Sequence, residues 1–172
     1  NMACNFYEGI ALACNDGISG VQAVWITEFN SVTSTTVTSG SITALTQAAG
    51  TKFWFIDSHS ENISFAQSTV GTQTTPYSTT QTCTFTVNVH TAKLRNWINT
   101  VRQNKFMVLV KDGNGRYQMM GATRGAYASQ IDSTTGKMLA DFSGSTFTFT
   151  AKEPFEAYYV DGSVVTGLAT GA

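Results

Sequence analysis

The stretch QTCTFTVNVH (81–90) constrains the fold more than any other part of the chain. Cys83, Phe85, Val87 and Val89 fall on one side of an extended backbone, and Thr82, Thr84, Thr86 and Asn88 on the other. Side chains alternate across a strand, so this pattern describes a half-buried antiparallel strand with a wet threonine face. Strand-like runs recur at GVQAVWITEF (20–29), KFWFI (52–56), ISFAQ (63–67), RYQMMG (116–121), ATRGAYASQI (122–131), STFTFTAKE (145–153) and FEAYYVD (155–161). KFMVLV (105–110) is a continuous apolar run of the kind that occupies the centre of a sheet. The Thr- and Ser-rich segment 30–50 reads as a short hairpin or mobile loop, and DSTTGK (132–137) as a turn.

One segment breaks the period of two. TAKLRNWINTVRQN (91–104) places Leu94, Trp97, Ile98 and Val101 at i, i+3, i+4 and i+7, one face of a helix. Thr91 suits the N-cap and Asn104 the end. The expected fold is mainly β: one domain over 1–172, a two-sheet β-sandwich or barrel with a single flanking helix at 91–104 and a flexible tail at 162–172.

The balance of charges narrows the function. Charged residues make up 12% of the 172, about half the usual share, and the net charge is −1. Without a basic run there is no footprint for sequence-specific binding of nucleic acid. No apolar run approaches the ~18 residues of a membrane span. The opening MACNFYEGIALAC lacks a basic region, so a cytoplasmic product starting at Met2 is expected, with Asn1 a foreign addition. Cys4, Cys14 and Cys83 are an odd number, which points to free thiols, with a Cys4–Cys14 bridge as the alternative. A surface of Thr, Ser, Gly and Ala repels neighbours weakly and suits packing against copies of the same chain, or equally a neutral extracellular β-protein.

Several stretches invite a chemical reading and do not support it. KDGNGRYQMMGATRG (111–125) begins like a calcium loop, yet the fifth and twelfth ligand positions from Asp112 are Arg116 and Thr123. A phosphate loop needs Lys-Ser/Thr after its glycines, and none follows. Asp112, Gly113, Asn114 and Gly115 are instead turn chemistry for a β-hairpin, the glycines admitting positive φ. Asp57, Ser58 and His59 are consecutive, whereas a catalytic triad is assembled from distant segments. His59 and His90 are the only histidines, and no C-x-x-C pair exists to hold a metal. Glu8, Glu28, Glu61, Glu153 and Glu156 are better read as structural than as paired catalytic acids. Trp54 and Tyr77 are candidates for sugar stacking, with core packing as the default. The expectation is therefore no catalytic residues, no cofactor and no metal.

Taken together, the Thr-rich strand 81–90, the helix 91–104, the strand-turn-strand VLVKDGNGRYQMMGATRG (108–125) and the closing FTFTAKEPFEAYYV (147–160) resemble structural proteins of tailed phages, most of all major tail (tail-tube) proteins. The opening MACNFYEGIALACNDGISGVQAVWITEF is similar to those of virion proteins from phages of Bacteroidota. The resemblance covers most of the chain and rests on texture and element order. It implies a β-sandwich with one helix and an extended hairpin arm that reaches onto an adjacent subunit. It further implies partners that are copies of the same chain, in a ring or tube, and other virion proteins, and a location in the virion after assembly in the host cytoplasm. The chain departs from the family in its near-neutral charge, since a lining that lets DNA slide is expected to be negative. The arm falls on QSTVGTQTTPYSTTQ (67–81), which carries no charge and is expected to be loosely held in the monomer. Val70, Gln73, Pro76 and Tyr77 are its candidate interface residues. A monomeric surface or capsid-decorating module that binds carbohydrate or protein is the alternative.

Overall fold

The computed structural model describes residues 20–58, 60–88 and 90–171. Cys4, Cys14, Glu8, His59 and Val89 lie outside the described residues, as do Asn1 and Met2. Among the described residues twelve strands follow in order: β1 Val21–Glu28, β2 Val32–Thr38, β3 Ser41–Gln47, β4 Phe53–Ile56, β5 Ile63–Val70, β6 Ser78–Val87, β7 Phe106–Asp112, β8 Tyr117–Met120, β9 Ala126–Thr134, β10 Gly144–Glu153, β11 Tyr158–Val160 and β12 Thr170–Gly171. Helix α1 spans Ala92–Val101 and helix α2 spans Gly162–Thr166.

The strands form one continuous mixed sheet that doubles into two layers. The first layer runs β12-β4-β1-β7-β8-β11-β3-β2, and the second runs β9-β10-β6-β5. A single pair, Phe106 with Ala126, joins β7 to β9 and is the corner between them. Val24, Ile26, Val108, Val110 and Met120 of the first layer pack against Cys83, Phe85, Phe147, Phe149 and Ala151 of the second. Met107, Leu109 and Met119 point the other way, into a second cluster with Ile42, Phe53 and Val160. β7 is thus buried on both faces, which is why its sequence is apolar without alternation.

Helix α1 forms as the spacing requires. The Thr91 hydroxyl accepts from the Leu94 N–H at 3.1 Å, and the Asn104 amide donates to the Thr100 carbonyl. Val101 is buried, while Leu94, Trp97 and Ile98 are only partly covered. Trp97 meets Phe147 edge-on at 5.2 Å between ring centroids.

Over 30–50 the hairpin reading holds, and three other expectations change. Segment 30–50 is the β2–β3 hairpin, closed by Ser39 and Gly40, both at positive φ as a tight two-residue turn demands. In the 112–115 turn only Gly115, not Gly113, uses positive φ, while Asp112 Oδ1 accepts from the N–H groups of Asn114 and Arg116. Residues 132–134 extend β9 instead of turning, because Asp132 and Thr134 pair with Thr146 and Gly144. The flexible tail expected at 162–172 is instead folded over 162–171. Val164, Val165 and Leu168 cover the second cluster, and Thr170 pairs with Phe53 in parallel. Gln47 fastens it, accepting from the Ala169 N–H at 2.8 Å.

Candidate assembly surface

The two long uncharged stretches of the chain, Phe29–Thr51 and Asn62–Ala92, supply the strands that end the sheet path, β2 and β5. Edge strands present unpaired N–H and C=O groups, and proteins commonly guard them with Lys, Pro or bulges. β2 has such a guard: its register with β3 shifts twice, between Val32 and Ser34 and between Thr36 and Val37. β5 has none. It pairs with β6 without interruption from Ile63–Phe85 to Val70–Ser78, and it has no second strand partner among the described residues.

The predicted interface residues sit at the end of this edge. Val70 closes the ladder, Gln73 and Pro76 lie in the connection 71–77, and Tyr77 precedes β6. All four are exposed. The connection is held by its own side chains: Thr72 N–H donates to Thr75 Oγ1 at 3.0 Å and Thr75 N–H returns to Thr72 Oγ1 at 3.1 Å. The Tyr77 ring lies on Gly71 so closely that a Cβ there would stand 2.6 Å from it. The arm is therefore a paired hairpin with an organised tip, where a loosely held segment over 67–81 was expected.

Gln67 and Gln81, at the limits of that uncharged segment, turn inward and anchor the arm. Gln81 is buried, accepts from the Gly121 N–H at 3.0 Å and donates to the Phe155 carbonyl. Thr79 is buried too, hydrogen-bonded to Thr69 at 2.9 Å. The signal for this was present in the alternation itself: extended back from Cys83, the same phase puts Gln81 and Thr79 on the buried face.

The structure also places the residues of the other stretches that it describes. The Ser58 hydroxyl donates to the Thr86 carbonyl, and Asp57 borders an open apolar pocket of about 300 Å³ beneath α1. Glu28, Glu61 and Glu156 are exposed. Glu153 is buried, and its Oε1 accepts from the N–H groups of Thr123 and Arg124, which pins the turn after β8. Glu153 and Glu156 border a cavity of about 10 Å³, room for one water and no substrate. Burial pushes the Cys83 thiol up to about 12. Trp54 is 48% exposed, with Gly171 against its ring and the Lys52 ammonium 5.8 Å from its centroid. Among the described residues no group of three His, Cys, Asp or Glu side chains is placed to hold a metal ion. None of their helices is long and apolar enough to cross a membrane.

Compared with models of protein families, the chain matches none. Neither a curated protein nor a solved structure matches it.

Proposed function

We propose that the chain is a non-enzymatic, self-assembling structural subunit, of the phage tail-tube kind that its sequence texture resembles. The observation that carries this reading is the β5 edge: eight residues, ISFAQSTV, straight in register, uncharged, and continued by an exposed tip. An edge of this kind invites a strand from another copy, because main-chain groups that would otherwise face water find partners there. Val70, Pro76 and Tyr77 add apolar area, and no charge has to be desolvated to bury them. Used between identical chains in a head-to-tail sense, such a contact closes into a ring or propagates as a filament. Ring or tube neighbours and other virion proteins are then the partners, and the virion the destination.

The experiment is to place a guard on the edge. Ala66 and Ser68 are exposed on β5, so Ala66→Lys with Ser68→Lys puts two cations there without entering the core. Sedimentation should show assembly abolished while the melting temperature stays within a few degrees of wild type. Assembly at the wild-type concentration would reject β5 as the interface.

A further inference from the structure

Glu153 stands where the alternation of β10 calls for an apolar side chain. Ser145, Phe147, Phe149, Ala151 and Glu153 share one phase of the strand, and all five are buried, Glu153 at 4% exposure. A carboxylate is costly to bury unless both its oxygens and its charge are answered. Here one oxygen is answered. Oε1 accepts from the N–H groups of Thr123 at 3.2 Å and Arg124 at 2.8 Å. Oε2 is also buried, and among the described residues it has no hydrogen-bond partner. An amide would hold the turn as well, since Gln81 meets the nearby Gly121 N–H with its Oε1 and spends its Nε2 on the Phe155 carbonyl. Glutamate at 153 adds a second acceptor and a full negative charge.

That charge has a space beside it. The cavity of about 10 Å³ is bordered by Glu153, Glu156 and Thr123, which offer two carboxylates and a hydroxyl. No Lys, Arg or His borders it to neutralise them. Room for one particle of the size of water, oxygen donors and two negative charges describe a small, hard cation. Magnesium keeps several of its waters when bound, and the cavity has no room for them. Calcium accepts carboxylate and carbonyl oxygens in irregular geometry, and its charge matches the two glutamates. Glu156 is exposed, so the site opens to solvent on that side, where water can complete the coordination.

We propose that the cavity between Glu153 and Glu156 binds one calcium ion, with Glu153 Oε2 as its buried anionic ligand. The ion joins the connection from β10 to β11 to the turn after β8, beside the Gln81 anchor of the arm. The site stands independently of the assembly reading. Two carboxylates make a weak site, with a dissociation constant of about 0.1–1 mM.

The test is calorimetric titration of the chain with calcium chloride, together with its Tm in calcium, magnesium and choline chloride at equal ionic strength. One calcium per chain should bind, and calcium at about tenfold above the dissociation constant should raise Tm by several degrees. Glu153→Gln keeps an acceptor for the Thr123 and Arg124 N–H groups and should abolish the calcium response. Glu156→Gln alters an exposed side chain, so it should fold as wild type and bind calcium about tenfold more weakly or worse. If Glu153→Gln fails to fold, Glu156→Gln decides alone, and unchanged affinity there rejects the site. No binding heat and the same Tm in all three salts would mean that Oε2 is answered by water or a proton, and would overturn the proposal. So would an equal shift in magnesium, or a calcium shift that survives Glu153→Gln.

Discussion

The backbone N–H of Ala157 donates to Oε1 of Gln67 at 2.7 Å, across 90 residues of sequence. The other end of the same amide donates to Gln118 Oε1 at 3.4 Å. Gln67 belongs to the edge strand of one layer, and Gln118 to β8 in the other. A neutral side chain therefore ties the open edge to the body where a charged one would be harder to bury. The edge can stay uncharged toward solvent and still be held in place.

Gln81 is the deeper of the two anchors. In Gln81→Leu the buried Gly121 N–H loses its acceptor, while the Phe155 carbonyl is near enough to the surface to find water. We predict a loss of about 2 kcal/mol in chemical denaturation, the scale of one unsatisfied buried donor. Stability equal to wild type would mean that the turn at Gly121 finds another acceptor.

Trp97 is only partly buried against the core. A fully buried Trp truncated to Ala costs about 3–5 kcal/mol. Because Trp97 is partly exposed, we predict about 2 kcal/mol for Trp97→Ala, or a drop of roughly 4–8 °C in Tm. An unchanged Tm would show that α1 is not fastened to Phe147 as described.

Cys83 gives a pH signature. Its thiol titrates near 9 when unfolded and is pushed up to about 12 when folded. Below pH 9 both states hold the proton and stability is independent of this group. Between pH 9 and 12 only the unfolded chain loses it, so stability falls as pH rises, with a slope approaching 1.4 kcal/mol per pH unit. Denaturation of wild type against Cys83→Ala from pH 8 to 11 should show the two curves converging above pH 9. Parallel curves would contradict the burial of the thiol.

Much of the architecture was legible because local pattern and burial agree. Phe85, Phe147 and Phe149 alternate with threonines and do face the core, and Thr91 caps a helix whose stripe meets it. What local pattern cannot carry is partnership at long range. Small residues made 162–171 look free, yet Val164, Val165 and Leu168 cover a cluster built from β3, β4, β7, β8 and β11. Asp132 disfavours a strand and glycine follows at 136, yet residues 132–134 are held in β9 by their ladder with β10. The candidate surface was half legible. The exposed tip with Val70, Gln73, Pro76 and Tyr77 follows from its lack of charge. That β5 ends the sheet depends on strand order, which no segment encodes alone.

The most direct measurement is electron microscopy of the purified wild-type chain over a hundredfold range of concentration, with sedimentation on the same samples. A self-assembling subunit should give rings or tubes of uniform width whose number or length grows with concentration. A monodisperse monomer at every concentration would contradict the assembly reading, and the decorating or ligand-binding module would take its place.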